Sequence, residues 1–254
     1  MRIVHLHMGM NATRRSRKKK FLPFVKQIPQ LQTTTVYLKT SEVYWMQQTK
    51  IIVTPMQEWQ LSIKRMIDIF ASFISMVILF PILIYIALRT KFSSAGPLFY
   101  FQERIGKNGK PFRLIKFRSM FLNAEKNGPQ LSHKTDSRIT PWGKTMRQWR
   151  LDELPQLWNI FKGEMSFVGP RPERRFFVKQ LVALYPNFKL LQKIKPGLSS
   201  FGMVRFGYAE NIEEMLERSR YDFIYLQKPS LAFDVKVVLQ TIKVIFFNKS
   251  QEFH

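Results

Sequence analysis

The chain has 254 residues, enough for one good hydrophobic core or a core with appendages. Lys and Arg total 41 against 17 Asp and Glu, a net charge of +24, which points to an anionic partner: nucleic acid, an anionic membrane surface or a phosphorylated substrate. There is no cysteine, so disulfides, Cys-based zinc sites and thiol nucleophiles are excluded, and the four His are scattered without metal-binding spacing.

Residues 1–62 read as a basic arm, with a strand predicted around Thr33–Trp45. No apolar stretch follows the run Arg14-Arg15-Ser16-Arg17-Lys18-Lys19-Lys20, so no cleaved signal peptide is expected. The run suits nucleic acid or a juxtamembrane polybasic segment equally. Met66 to Leu88 is apolar on all sides, with Asp68 its only charge. As a straight helix it would reach roughly 35 Å, against about 30 Å for a bilayer core. Pro81 removes a helical bond and forces a kink or break. Basic residues flank both ends, Lys64 and Arg65 before, Arg89 and Lys91 after, so the positive-inside rule assigns neither end to the far side. A helix that enters, turns at Pro81 and leaves on the same face satisfies both flanks. On the residues alone, the re-entrant and spanning readings both stay open.

From Gly96 the composition is that of a soluble domain. Pro97–Ile105 and Phe112–Arg118 read as two strands joined by a turn over Gly106–Lys110, a β-hairpin. Strand alternation puts Lys116 and Arg118 on one face, where two cations form a phosphate clamp only beside a cleft. Asn123–Ser137 is loop-like, and Thr140-Pro141 is a helix N-cap followed by a first-turn proline. That helix carries Lys144, Arg147 and Arg150 into Asp152-Glu153. Leu154, Leu157, Trp158 and Phe161 then mark one apolar face of a second helix, with Pro155 in its first turn and Gly163 at its end. The adjacent carboxylates thus lie at or just before a helix N-terminus. Capping alone would explain an arbitrary Asp-Glu pair there. Their strongly basic surroundings favour a site. Two prolines fix the backbone around Arg171 in Gly169-Pro170-Arg171-Pro172, leaving little entropy to lose on binding an anion. Asn211–Leu226 reads as an amphipathic helix, and Phe233–Phe247 as an interfacial helix or a core helix of the domain. No P-loop or dinucleotide-binding glycine motif occurs.

Taken together, Lys64-Arg65…Asp68, Pro81, Ser94-x-Gly96-Pro97, Phe101-Gln102-x-Arg104-x-Gly106, Lys116-Phe117-Arg118-Ser119-Met120, Asp136-x-Arg138-Ile139-Thr140, Leu151–Asn159, Met165-Ser166-x-Val168-Gly169-Pro170-Arg171-Pro172, Lys195-Pro196-Gly197 and Asp222-x-x-Tyr225…Ser230…Asp234…Thr241 resemble the bacterial sugar transferases, the monotopic polyprenyl-phosphate phosphoglycosyl transferases. The resemblance runs from about residue 63 to 247. It implies an α+β fold: a re-entrant membrane helix over 63–91 broken at Pro81, and a small mixed α/β catalytic domain over 92–254 ending in an interfacial helix. It implies transfer of a sugar-1-phosphate from a UDP-sugar to polyprenyl phosphate at the cytoplasmic face of the bacterial inner membrane. It further implies Mg²⁺ at Asp152 and Glu153 and a covalent intermediate on Asp152. Lys116, Arg118, Arg138, Arg147, Arg171 and Pro172 are the expected substrate-binding residues, and Lys64, Arg65 and Pro81 the membrane-associated ones. Nucleic acid has no part in such a reaction, and a homodimer is compatible with it. Two departures stand out. Phe80 replaces the Ser that usually precedes the helix-breaking proline, and Ser199-Ser200 and Met203 replace the usual Thr-Gly and following Gln. A membrane-anchored basic adaptor without catalysis is the competing reading, but an adaptor needs neither the dyad nor the Gly-Pro-Arg-Pro turn.

Overall fold

The computed structural model describes residues 51–126, 128–132 and 136–247. The strand expected around Thr33–Trp45 lies outside them. Helix α1 (Glu58–Ile78) begins ahead of the expected boundary at 62, and the residues before it already belong to the fold: Met56 is buried and Thr54 N–H donates to Leu226 O. Helix α2 (Phe80–Ser93) follows after the single residue Leu79. Pro81 sits at the start of α2, where it has no helical N–H to lose, and the two helices meet at 63°. Among the described residues no single helix is long and apolar enough to cross a membrane; α1 and α2 reach that length and hydropathy only together.

The inside of the bend is filled by the domain. Met76 and Leu79 pack on a cluster of Leu114, Leu157, Ile160 and Met165, and Ile86 of α2 packs with Phe117 and Met146. A break that frees helical carbonyls would call for polar partners. The break is instead supported by apolar packing, and Leu79 keeps helical bonds on both sides, donating to Ser75 O and accepting from Leu83 N–H. Phe80, in the place of a serine, points out at 61 % exposure.

Lys64 and Arg65, expected as membrane-flanking charges, are tied into the protein. Arg65 donates to Ile160 O and Phe161 O at the C-terminal end of helix α4 (Gln156–Lys162), where a cation meets the negative end of the helix dipole. Lys64 donates to Val168 O and pairs at 2.6 Å with Asp234 of the last helix. Asp68, the lone charge of the apolar stretch, is buried and accepts from Ser166 Oγ and Phe167 N–H. Its carboxylate therefore ties α1 to the segment Ser166–Phe167 of the domain.

Strands β1 (Phe99–Ile105) and β2 (Pro111–Phe117) form the expected antiparallel hairpin, pairing from Phe99 with Phe117 to Ile105 with Pro111. Helix α3 (Pro141–Gln148) starts as predicted, with Thr140 Oγ1 accepting Gly143 N–H at 2.9 Å. A short 3₁₀ turn, Leu151–Glu153, leads into α4, which ends at Gly163 with φ +89°. A 3₁₀ turn has fewer residues per turn than an α-helix, so it shifts the phase of the helix after it. As a result Leu157 and Ile160 are the buried pair, whereas Trp158, expected on the core face, is 47 % exposed and stacks on Phe161 beside Phe73 of α1. Buried Asn159 joins α4 to the free edge of β2, accepting Ile115 N–H and donating to Arg113 O as a strand would.

Strands β3 (Ser166–Val168) and β4 (Gly197–Ser199) form a two-residue parallel ladder, Ser166 with Gly197 and Val168 with Ser199. Gly169 N–H bonds Ser199 O and Gly197 N–H bonds Pro170 O, so the Gly-Pro-Arg-Pro and Lys-Pro-Gly turns run in backbone contact. A Cβ on either glycine would come closer than 3.0 Å to backbone of the other turn. Helix α5 (Arg175–Leu184), a 3₁₀ helix (Pro186–Lys193) and α7 (Ile212–Gln227) enclose the largest core cluster, around Leu181, Leu216 and Leu226. Between them in sequence lies the short α6 (Phe201–Arg205). The last helix, α8 (Leu231–Phe247), buries Asp234 and Val237 and exposes Val235, Leu239, Ile242, Phe246 and Phe247.

Candidate active site

The Asp152-Glu153 pair is held from both sides in sequence. Leu151 and Leu154 pack into the cluster of Ile86, Phe117 and Met146, and Leu157 into the cluster below the bend. This anchoring buries the carboxylates, each residue being 5 % exposed. Their surroundings differ. Glu153 Oε1 pairs with Lys116 Nζ at 2.9 Å and Arg171 Nη2 at 3.3 Å, and Oε2 with Arg150 Nη1 at 3.6 Å. Among the described residues no cation comes within pairing distance of Asp152 and no donor hydrogen-bonds it. Burial pushes the Asp152 carboxyl up, and Lys116 and Arg147 only partly offset that. Glu153 is equally buried, but Lys116, Arg171 and Arg150 together hold it well below the usual carboxylate range. Two neighbouring carboxyls with divergent acidities mark a division of labour: one a fixed counter-charge, the other available to react.

Three of the expected substrate-binding cations face this pair. Lys116 and Arg171 contact Glu153, and Arg147 adds positive potential at Asp152 while bonding Ser119 Oγ and Ser132 Oγ. Two others are spent elsewhere. Arg118 lies past the end of β2, 5 % exposed, with its three nitrogens on Pro97 O, Ser94 Oγ and Ser94 O, where it fastens the exit of α2 to the hairpin. Arg138 chelates Asp136 and holds Ala124 O, Gln130 Oε1 and Leu131 O, organising its own loop. A phosphate contact by either would require breaking those bonds. Pro172 is buried, and its carbonyl accepts from Arg104.

Arg104 stands in a family motif but receives no role from the sequence. In the hairpin register it lies opposite Phe112, on the same face as Lys116, so correct strand pairing would have pointed to it. Burial lowers its guanidinium to about 10, and its Nε is buried without an acceptor among the described residues. A buried orphan donor is costly, and an anion would satisfy it. Behind it Glu173 pairs with Arg218 at 2.5 Å and Arg104 at 3.6 Å. Arg150 was expected on helix α3. It lies beyond that helix in a left-handed conformation with φ +54°, turning the chain into the dyad. The remaining newcomer is Tyr208, with the guanidinium carbons of Arg150 at 5.1 Å and Arg171 at 5.6 Å from its ring centre. No local sequence signal connects residue 208 to 150.

Comparison with known proteins finds relatives along most of the chain. The chain is 37 % identical over 221 residues to a UDP-N-acetylgalactosamine-undecaprenyl-phosphate N-acetylgalactosaminephosphotransferase of Aeromonas hydrophila, covering 87 % of this chain and 51 % of that protein. It is 34 % identical over 214 residues to a UDP-glucose:undecaprenyl-phosphate glucose-1-phosphate transferase of Klebsiella pneumoniae, covering 84 % of this chain and 46 % of that protein. A Caulobacter vibrioides protein of the latter name is 36 % identical over 183 residues, covering 70 % of this chain and 68 % of that protein. The chain thus spans about half the length of the first two relatives. The sequence model of the bacterial sugar transferases matches residues 59–248, from the start of the bent helix pair to the end of α8, and the chain belongs to that family.

Proposed function

We propose that the chain transfers a sugar-1-phosphate from a UDP-sugar to a polyprenyl phosphate such as undecaprenyl phosphate, releasing UMP. The observation that carries this reading is the asymmetric dyad: a buried Asp152 carboxylate with no pairing cation among the described residues, beside a Glu153 that holds three cations in place. An Asp152 oxygen attacks the phosphorus that bears the sugar; a P–O bond forms as the bond to UMP breaks. An oxygen of the lipid phosphate then attacks the same phosphorus, and Asp152 leaves as a carboxylate. Two displacements replace one direct reaction between large anions. Lys116, Arg150 and Arg171 oppose the charge of the diphosphate, most strongly where water is excluded.

The donor set fits Mg²⁺ in one manner. Among the described residues no cluster of three His, Asp or Glu can hold a metal. Asp152, with Glu153 beside it, would therefore hold an ion whose other ligands are phosphate oxygens and water, as Mg²⁺ prefers. Bound there, it supplies positive charge against the diphosphate. We expect excess EDTA to stop UMP release and added Mg²⁺ to restore it; undiminished release in chelator would remove the metal from the reaction.

Because the ionised form of Asp152 reacts, its acidity sets a limb of the pH profile. Its pKa is raised above 3.8, so activity falls as pH drops through a midpoint above that value. Glu153 stays ionised throughout, its pKa lying well below 4.5. A kcat/KM profile flat down to pH 4 would contradict this assignment.

The same reading puts the bent pair α1–α2 in the cytoplasmic face of the bacterial inner membrane, entering and leaving on one side. Supporting it, both limbs pack on the same domain: α1 through Arg65, Lys64 and Asp68, α2 through Ile86 and the Trp142–Thr90 hydrogen bond. Phe70, Phe73, Val77, Ile78, Phe80 and Leu88, spread over both limbs, are all more than half exposed. Single cysteines at Gln57 and Lys110, both exposed, enter a chain that has none. Both should resist an impermeant thiol reagent in intact cells and react after lysis. One position labelled from outside would make the pair a span. The reaction itself is tested by incubating the full chain with polyprenyl phosphate and a panel of UDP-sugars and measuring UMP; no release from any of them would refute the transferase.

A further inference from the structure

The segment Ser199–Ala209 departs from the family pattern at Ser199, Ser200 and Met203, and it carries Tyr208 to the site. Ser200 Oγ caps α6 by accepting Met203 N–H at 2.9 Å. Met203 is buried, and its Sδ accepts from Arg218 at 3.8 Å. Phe206 N–H and Gly207 N–H close on Gly202 O and Met203 O, and Gly207, with φ +93°, turns the chain out of α6. A side chain at φ +93° would be strained, so the turn suits glycine.

The next residue is Tyr208. Its ring is 45 % exposed and lies against Arg150 and Arg171, the two guanidiniums that reach Glu153. Arg150 is held in a left-handed conformation that a non-glycine residue keeps only when its surroundings fix it. An aromatic face attracts guanidinium, more strongly where water is scarce. Packing against a ring face consumes no N–H group, so the ring can hold both guanidiniums in place while their N–H groups serve Glu153 and an incoming anion.

We infer that Tyr208 is a positioning residue for the donor: its ring holds Arg150 and Arg171 in the arrangement that binds the diphosphate of a nucleoside diphosphate sugar. This rests on the transferase reading, but UDP binding tests it separately from turnover. The capped α6 and the Gly207 turn are the parts that deliver the ring.

The test uses the full chain purified in detergent, with UDP affinity by calorimetry, KM and kcat for a UDP-sugar that is turned over, and the unfolding temperature. Tyr208→Leu should weaken UDP binding and raise KM about tenfold, the scale of losing two such contacts, with kcat nearly unchanged and the half-exposed site keeping its unfolding temperature. Tyr208→Phe should bind UDP as the wild type does. Wild-type UDP affinity in a folded Tyr208→Leu variant would overturn the inference. So would a folded Tyr208→Phe as weak as Tyr208→Leu, which would make the hydroxyl a direct ligand. The inference stays testable even if the leucine variant fails to fold, since Tyr208→Phe and Tyr208→Trp both keep a ring and must both retain UDP affinity. Should no UDP-sugar be turned over while UDP still binds in this ring-dependent way, the transferase fails and the role of Tyr208 in binding a nucleoside diphosphate stands.

Discussion

Asp152→Asn should reduce UMP release by about ten-thousand-fold, on the scale of losing a nucleophile, while leaving the fold intact. The asparagine keeps the volume and removes the charge. Asp152 makes no hydrogen bond or ion pair among the described residues, so no contact described in the fold is lost with its carboxylate. Removing a buried charge whose ionisation is opposed by burial should leave stability unchanged or raise it slightly at neutral pH. The sign comes from linkage: a carboxyl raised above its unfolded value costs stability once pH exceeds that unfolded value, and asparagine has no such cost. The paired measurements are UMP release and thermal unfolding of the same preparation. Near wild-type turnover would take the nucleophile role from Asp152, and a collapsed unfolding temperature would make it a structural residue.

Gly197→Ala should be the most damaging of the substitutions proposed for folding. The added Cβ would lie closer than 3.0 Å to Gly169 N, Gly169 O and Ser199 O, all backbone atoms that cannot rotate away. Relief requires separating β3 from β4, which breaks the bonds from Gly169 N–H to Ser199 O and from Gly197 N–H to Pro170 O. Overpacking of this kind costs about 3 kcal/mol or more when backbone must move. The same bonds hold the turn that carries Arg171, so any protein that still folds should also bind UDP poorly. A stability loss within about 0.5 kcal/mol, the range of a surface change, would show that the two turns are not in the contact described.

The elements that rest on local signals were legible in the sequence. The hairpin followed from two apolar runs around Gly106–Lys110, the start of α3 from Thr140-Pro141, the end of α4 from Gly163, and α7 from the period of Asn211–Leu226. The position of the dyad before a helix was legible for the same reason. The features that escaped the sequence depend on distant partners. Lys64, Arg65, Arg118 and Arg138 read as free cations, but each is engaged by oxygens, most of them backbone carbonyls, which no side-chain pattern announces. Trp158 turned outward because a 3₁₀ turn shifted the phase of α4, leaving it stacked on Phe161. Arg104 became visible only with the strand register, and Tyr208 only once α6 had carried it back across the chain to Arg150.

The pair of Lys64 with Asp234 has a mechanical meaning on the membrane reading. It rivets α1 to α8, whose exposed Val235, Leu239, Ile242 and Phe246 form a second apolar surface. An amphipathic surface of that size adsorbs reversibly by itself. Joined rigidly to a second anchor, its release becomes an intramolecular event: one foot lifts while the other still grips, and recapture outpaces escape. Attachment strengths then multiply, so cutting the rivet would loosen the protein's hold on the bilayer without removing one apolar atom from either foot.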